Sequence, residues 1–303
     1  MTLIGNTPLY KLTRLTDADS ADIYVKWEGA NPTGSMKDRM AQSMIDGAEA
    51  RGLLKPGGRV VEYTGGSTGS SLAMVCATRG YAAHFVSSDG FSDEKLQTMR
   101  AFGANVEIVP AKDGLLTAEV IDRMIARAKE LSGDPDTFWP DQVNNPDNKL
   151  GYHPMAREII TAMDGKIDEF VMAVGGGGCI SGNAEILKPQ DPETRIVGVE
   201  PYNVRNISGG DTRGTHRLEG IGLSFVPTIL RRDLIDEVVP VKDEDAVETA
   251  RLLARCEGIL GGITSGANVH AARHRAKQLG PGKNIVTVIV DTGLRYLKGD
   301  LFG

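Results

Sequence analysis

Short β-rich runs alternate with longer segments of helical periodicity along most of the chain. The β-rich runs are apolar rather than alternating, and helical segments separate them, which favours parallel sheets covered on both faces by helices. The predicted strands cover residues 22–28, 59–63, 82–88, 105–110, 168–174, 195–200, 236–241 and 284–290. The predicted helices cover residues 37–52, 92–102, 115–131, 243–257 and 265–279, and two more follow glycine-rich turns.

The polar stretch 132–150 separates two such series and predicts two layered α/β domains. Ligands of open α/β sheets bind beyond the carboxyl ends of the strands. Two glycine-rich turns, TGGSTGSS (64–71) and VGGGGCISGN (174–183), each follow a predicted strand and open a predicted helix. We therefore expect the functional site at these turns.

Composition narrows the class of protein. Of 303 residues, 41% are hydrophobic and 24% charged, as in an ordinary soluble globular protein. No apolar run approaches the ~20 residues that span a bilayer, and MTLIGNTPLYKL lacks the pattern of a secretory signal. A net charge of −6 argues against nucleic-acid binding. Three scattered cysteines predict neither a disulfide framework nor a zinc site, and we expect a cytoplasmic protein.

The turn VGGGGC predicts a phosphate site. Its four consecutive glycines allow positive φ and close approach to a ligand, and the following helix offers free amides and the positive end of its dipole. The alternative is a strand-to-helix connection that binds nothing. A dinucleotide fingerprint and a P-loop are both missing, which argues against a dehydrogenase or an NTPase.

The turn TGGSTGSS clusters hydroxyls and amides that suit a carboxylate or another small anion. It could instead cap the following helix through Ser67 or Thr68.

Lys37 stands where the loop residues of NPTGSMKDR give way to a predicted helix. A lysine there is usually solvated, although the helix dipole disfavours its charge. Burial and the dipole would favour the free amine, and a free amine forms imines, which is the chemistry of pyridoxal phosphate.

Two other sets of candidate residues give weaker evidence for a function. His270 and His274 lie four apart on a predicted helix, but no third ligand has metal-binding spacing, so we expect no metal. Cys179 at a helix start could have a lowered pKa, or could simply be a small residue packed beside the glycines.

Taken together, these motifs resemble the cysteine synthase (O-acetylserine sulfhydrylase) family of fold-type II pyridoxal-phosphate enzymes, which also includes cystathionine β-synthase. The resemblance covers nearly the whole chain, in order. Its motifs are IGNTPLYKL (4–12), NPTGSMKDR (31–39), TGGSTGSSLA (64–73), DQVNNPDN (141–148), VGGGGCISG (174–182), EGIGLSFVP (219–227), GILGGITSGAN (258–268) and DTGLRYL (291–297).

The resemblance implies a tryptophan synthase β-like fold of two three-layer domains with mostly parallel sheets. A smaller, mobile domain, residues 36–141, would carry the substrate loop, and residues 1–35 and 142–303 would form the larger domain that binds the cofactor's phosphate. It also implies a homodimer.

The resemblance further assigns roles to residues. Lys37 would hold pyridoxal 5'-phosphate as an imine and later act as the base. Ser67 stands where the family has an asparagine that reaches the cofactor's phenolic oxygen. Thr264, with Ser265 as the alternative, would meet the pyridine nitrogen. The cofactor's phosphate would be bound by Gly175, Gly176, Gly177, Gly178 and Cys179. The substrate carboxylate would be held by Thr64, Gly65, Thr68 and Gln142.

A neutral hydroxyl at the pyridine nitrogen weakens the ring as an electron sink, so the implied reaction is β-replacement on an O-activated L-serine. O-acetyl-L-serine and sulfide, giving L-cysteine and acetate, are the default substrates. The alternatives are a β-eliminase or dehydratase of serine-like substrates, and a catalytically quiet homologue that binds the cofactor and regulates.

Three motifs depart from the family pattern. The substrate loop usually reads TSGNTG, so Gly65 replaces a serine and Ser67 an asparagine. Threonines usually stand where this chain has Gly176 and Cys179, so backbone amides must replace two side-chain donors. The segment 152–159 lacks the usual TTGPE. These changes leave the leaving group and the nucleophile open.

Overall fold

The computed structural model of the protein describes residues 3–111, 117–223 and 225–303. Within these ranges the chain forms ten β-strands and nine α-helices. The strands, β1 to β10, are Leu9–Lys11, Asp22–Trp27, Arg59–Tyr63, Ala82–Ser87, Asn105–Ile108, Thr137–Phe138, Glu169–Ala173, Arg195–Pro201, Glu237–Val241 and Asn284–Ile289. The helices, α1 to α9, are Lys37–Ala50, Ser67–Arg79, Asp93–Ala101, Ala118–Leu131, Asp147–Leu150, His153–Ala162, Gly178–Gln190, Asp243–Leu252 and Ile263–Leu279.

The chain divides into two compact units. The larger unit comprises residues 1–36 and 152–303, and the smaller unit comprises residues 37–151.

The larger unit is built on a six-stranded sheet in the order β1-β2-β10-β7-β8-β9. Only β1 runs antiparallel to its neighbour, and the other neighbouring pairs are parallel. All five residues of β7 are buried, because a parallel strand in the middle of such a sheet has helices over both faces. The predicted α/β fold with mostly parallel sheets is confirmed.

A buried amide in α9 ties two central strands of this sheet together. The Oδ1 atom of Asn268 accepts the backbone N–H of Ala173 at 2.8 Å, and its Nδ2 atom donates to the carbonyl of Val288 at 2.8 Å. Asn268 is 0% exposed, so leaving either group unpaired would cost free energy. The contact fixes α9 against the carboxyl ends of β7 and β10, where the predicted phosphate turn begins.

The smaller unit is built on a parallel four-stranded sheet in the order β5-β4-β3-β6. Helix α1 contributes a fully buried apolar stripe, Met40, Met44 and Ile45, at the i, i+4 spacing that one helix face requires. Strand β3 lies inside the sheet and leads directly into residues 64–69, which we call the substrate loop.

The predicted strands agree with β2, β3, β4, β5, β7, β8, β9 and β10 to within two residues at either end. The helix predicted over 115–131 appears as α4, and residues 115 and 116 lie outside the described ranges. The helix predicted over 243–257 is interrupted, because α8 ends at Leu252 and a π-helical turn, Leu253–Glu257, leads to Gly258 at φ +70°.

Four elements were not predicted: β1, β6, α5 and α6. Helix α6 carries a signal that could have found it, since Pro154 lies in its first turn, where the missing N–H costs nothing. Met155, Ala156 and Ile159 then form its buried face.

The compact units divide the chain at positions that differ from the predicted domain boundaries. Met36 belongs with the larger unit, since its N–H donates to the Val290 carbonyl at 2.9 Å. Residues 142–151 belong with the smaller unit rather than the larger one. The reason lies in side-chain contacts: the hydroxyl of Ser43, in α1, donates to the Asp147 carbonyl at 2.7 Å, and Arg51 pairs with the Asp147 carboxylate.

Within the described ranges, no helix combines the length and the apolar character needed to cross a membrane.

Candidate active site

Lys37 is the first residue of α1 and is half-buried. The next residue, Asp38, is 0% exposed and accepts the hydroxyl of Ser71 at 2.6 Å. A carboxylate in the first helical turn complements the dipole that disfavours a charged lysine there. The bond to Ser71 also ties the start of α1 to α2, the helix that follows the substrate loop. The sequence placed this lysine at the correct junction.

The substrate loop is organised by its two threonines, Thr64 and Thr68, which are 7% and 5% exposed. The Thr64 N–H donates to the Val86 carbonyl at 2.9 Å, and the Thr64 hydroxyl accepts the N–H of Gly66 at 3.3 Å. The Thr68 hydroxyl donates to the Oε1 atom of Gln142 at 2.8 Å. The structure thus joins Thr68 and Gln142, two of the four residues predicted to hold a substrate carboxylate.

The alternative role of this turn, capping by Ser67 or Thr68, is wrong. Helix α2 begins at half-buried Ser67, and its N-cap is Gly66, which has no side chain to accept a helix N–H. Hydroxyls and first-turn amides therefore lie in one short loop, an arrangement suited to a small anion.

A residue that the sequence analysis missed, Glu62, lies beneath the loop at the end of β3. It is 0% exposed, and its Oε1 atom accepts the Trp139 indole N–H at 2.9 Å and the Tyr63 N–H at 3.0 Å. Its Oε2 atom accepts the Gln142 N–H at 3.3 Å. Burial raises the pKa of Glu62 to about 8, although these three donors lower it. The available signal was a carboxylate in the apolar run RVVEY immediately before the loop.

Gly65, the fourth residue assigned to the carboxylate, is covered by an aromatic ring. A Cβ built on Gly65 would overlap the ring of Phe91, a residue of the turn between β4 and α3. Only a glycine therefore fits at position 65, and any contribution to a ligand comes from its backbone.

In the larger unit, the four glycines form a tight bend between β7 and α7. Gly177 is the N-cap of α7 at φ +80°, a conformation that favours glycine. A Cβ on Gly177 would come within 3.0 Å of Leu230, and one on Gly175 would overlap the Gly220 carbonyl oxygen. Cys179 is 6% exposed and its carbonyl accepts the Asn183 amide at 2.8 Å, so it packs as a small buried residue.

This bend fits the phosphate of pyridoxal phosphate. Gly176 is half-buried and Gly178 is buried, and no side chain of the described residues caps the start of α7. Helix-start amides and a positive dipole end are the partners that a phosphate takes.

The segment 219–222 adjoins both the bend and Thr264. The Thr264 hydroxyl donates to the Glu219 carbonyl at 2.8 Å, and the next carbonyl, of Gly220, lies against Gly175. Ser265 has a structural contact instead: its buried hydroxyl accepts the Val290 N–H at 3.0 Å. Ser224, in the same EGIGLSFVP motif, lies outside the described residues.

The histidine pair on α9 engages other groups. His274 contacts the Gln278 amide at 3.0 Å, and half-buried His270 lies 3.9 Å from Asp245. The described part of the chain holds no cluster of three or more histidine, cysteine or acidic residues suited to a metal ion.

Comparison with known proteins agrees with this geometry. Residues 1–291 match the family described as pyridoxal-phosphate dependent enzyme. A cysteine synthase of Staphylococcus aureus is 41% identical over 302 residues, which cover 99% of this chain and 95% of that protein.

Two solved structures are similar over nearly the whole chain. An O-ureido-L-serine synthase superimposes with a TM-score of 0.92 at 37% identity, covering 99% of this chain and 93% of the other. A hydrogen sulfide-producing enzyme of Fusobacterium nucleatum superimposes with a TM-score of 0.91 at 36% identity, covering 97% and 96%. The chain therefore belongs to the cysteine synthase family of fold-type II enzymes that depend on pyridoxal phosphate.

Proposed function

We propose that this protein catalyses β-replacement on an O-activated L-serine, with O-acetyl-L-serine and sulfide as substrates and L-cysteine and acetate as products. The likeness to a cysteine synthase over 99% of the chain is the observation that carries this proposal. The pairing of Thr68 with Gln142 adds support, since it prepares polar groups for the carboxylate that every amino-acid substrate has.

The smaller unit is assigned to the substrate and the larger unit to the cofactor. In the larger unit the bend 175–179 would hold the phosphate through backbone amides, and Thr264 would meet the pyridine nitrogen. In the smaller unit Lys37 would hold the cofactor covalently, and Ser67 would contact its ring. When bound, pyridoxal phosphate supplies an electron sink for the bonds at Cα of the amino acid.

Lys37 acts as the base and then as the acid at Cα of the amino acid. Once the amino acid has taken its place on the cofactor, the uncharged Nζ would take the proton from Cα. The Cα–H electron pair would then shift to lie between Cα and Cβ, and the Cβ–O pair would leave with acetate. Sulfide then forms the Cβ–S bond, and Nζ returns the proton to Cα. Thr64, Gly65, Thr68 and Gln142 hold the carboxylate throughout, which keeps the Cα–H bond in position for Lys37.

The test is product analysis of the purified holoenzyme. With O-acetyl-L-serine and sulfide it should form L-cysteine and acetate in equal amounts. Thiols, amines and cyanide should be compared with sulfide as nucleophiles. Absence of any β-substituted amino acid with this panel, from O-acetyl-L-serine and from O-phospho-L-serine, would refute β-replacement.

A second candidate is release of sulfide by β-elimination, which the likeness to the hydrogen sulfide-producing enzyme favours. The holoenzyme would then convert L-cysteine to sulfide, pyruvate and ammonia without a second substrate. Measuring sulfide and pyruvate with and without an added thiol separates the two candidates. Replacement releases sulfide only with the thiol and forms no pyruvate, whereas elimination forms sulfide and pyruvate without it.

We also propose a cytoplasmic homodimer. The three cysteines form no disulfide with one another, which a reducing compartment permits. Leu294 and Leu297, close together in the chain, are 64% and 57% exposed and offer apolar surface to a second subunit. Light scattering should give twice the chain mass, and a monomer at micromolar concentration would contradict the dimer.

A further inference from the structure

The Phe91 ring occupies the volume that a side chain at position 65 would need. A Cβ on Gly65 would overlap three ring atoms: Cγ, Cδ2 and Cε2. An aromatic ring from another part of the same unit therefore fills the space beside this glycine.

The ring is held from two sides. On one side it packs with Tyr63 against an apolar cluster that includes Val61, Val86 and Met124, whose side chains are 0% exposed. A ring in such a cluster cannot shift without losing contacts or opening a void.

On the other side, backbone hydrogen bonds hold the turn that carries Phe91. The Phe91 N–H donates to the Ser88 carbonyl at 3.2 Å, and the Ser88 hydroxyl accepts the Gly90 N–H at 3.3 Å. The Asp89 carboxylate accepts the Ala111 N–H at 2.7 Å, which links the turn to the residues after β5.

The loop beside the ring is anchored on both sides of position 65. Its entry is held by the bond from the Thr64 N–H to β4, and its exit by the bond from Thr68 to Gln142. Glycines fill positions 65 and 66, and their backbone is the least restricted of any residue. The Gly66 N–H donates to the Thr64 hydroxyl and the Gly66 carbonyl accepts the Gly69 N–H, and packing against Phe91 adds a restraint at Gly65 itself.

We propose that Phe91 is a positioning residue for the substrate loop and that it acts as a pair with Gly65. The ring fills the space beside this glycine, fixes the loop backbone between Thr64 and Thr68, and thereby sets the affinity for the carboxylate of an amino-acid substrate. This inference rests on the proposed function of the loop.

The pair predicts non-additive substitutions. In Gly65→Ser the new side chain overlaps the Phe91 ring, so the loop must move away from its carboxylate-binding arrangement. In Phe91→Ala the loop keeps its sequence but loses its support. In the double variant the serine has the space that the ring vacated, so it adds little further cost.

The experiment compares the three holoenzyme variants with wild type and with Phe102→Ala. This control removes a partly buried phenylalanine from the other end of α3 in the same unit. Two quantities are measured: KM and kcat for O-acetyl-L-serine with sulfide, and the Kd of L-alanine, which has a carboxylate but no leaving group, from the change in cofactor absorbance.

We expect Gly65→Ser to raise KM and the L-alanine Kd about tenfold or more, and Phe91→Ala about fivefold, with kcat changing about twofold or less. The double variant should lie within about threefold of Phe91→Ala, which is less than the product of the single effects. Phe102→Ala should leave both constants within about twofold of wild type.

Additive effects in the double variant, or a wild-type L-alanine Kd in Phe91→Ala, would overturn the proposal. If Gly65→Ser does not fold, Phe91→Leu gives the second comparison, and it should lie between wild type and Phe91→Ala in Kd. Failure of wild type to turn over O-acetyl-L-serine would refute the proposed function instead, whereas the L-alanine measurements still decide the role of Phe91.

Discussion

Substitution of Glu62 by glutamine should remove a pH dependence of stability that the wild-type protein shows. Burial raises the pKa of this carboxyl from 4.5 to about 8, so the folded protein keeps its proton at pH values where the unfolded chain has lost it. This contribution to the free energy of unfolding is fully present below pH 4.5 and is lost as the pH rises to about 8. At about 1.4 kcal/mol per pH unit, the loss over that window is about 3 to 5 kcal/mol.

Glutamine keeps an acceptor oxygen for the donors at Oε1 but cannot titrate. Its amide nitrogen would face the Gln142 N–H, which should cost about 1 kcal/mol at low pH. The variant should therefore be slightly less stable than wild type at pH 5 and more stable at pH 8.5.

The assay is urea unfolding of the holoenzymes at constant ionic strength between pH 5 and pH 8.5, taking the difference between wild type and variant. Glu107→Gln is the matched control in the same unit. Contacts with Arg127 lower the pKa of Glu107, so its contribution is lost as pH falls rather than as it rises. A wild-type minus Glu62→Gln difference that stays constant from pH 5 to 8.5 would refute the reasoning.

Three further predictions concern the site. Lys37→Ala should lose borohydride-fixed cofactor, measured by peptide mass, and about a hundredfold or more in turnover; a variant that keeps both would contradict the assignment. Thr68→Val should raise the KM for O-acetyl-L-serine about tenfold with little change in kcat, because the side chain of Gln142 loses its donor; an unchanged KM would show that the contact does not serve the substrate. Thr264→Val should shift the absorbance of the bound cofactor. Ser265→Ala should not, but it should lower the free energy of unfolding by about 1–3 kcal/mol by leaving a buried N–H unpaired; the reverse pattern would exchange the two roles.

Local chemistry made much of this architecture predictable. The buried strands of a parallel sheet are apolar runs in the sequence. Consecutive glycines indicate a bend with positive φ, and Gly177 adopts φ +80°. Lys37 could be placed because proline, glycine and serine end just before a helical pattern. Short elements were harder: β6 is two residues long and exists through its pairing with β3.

Contacts between distant residues set the limit of the prediction. Phe91 covers Gly65 from another turn of the smaller unit, and no pattern in the sequence joins the two positions. The division into compact units depends on such contacts as well, since Asp147 bonds to Ser43 and Arg51. Such contacts depend on which elements become neighbours in three dimensions, which hydrophobic periodicity does not encode.

The order of strands in the larger unit has a consequence for synthesis on the ribosome. Strand β2 leaves the exit tunnel early, but its parallel neighbour β10 lies near the end of the chain. Until then Ile23 and Val25, both 0% exposed in the finished sheet, stand on an edge whose partner has not yet been made. We expect residues 37–151 to fold before β10 is available to pair with β2. During that interval the unpaired edge can join another nascent chain, so we expect chaperone binding to be most important then.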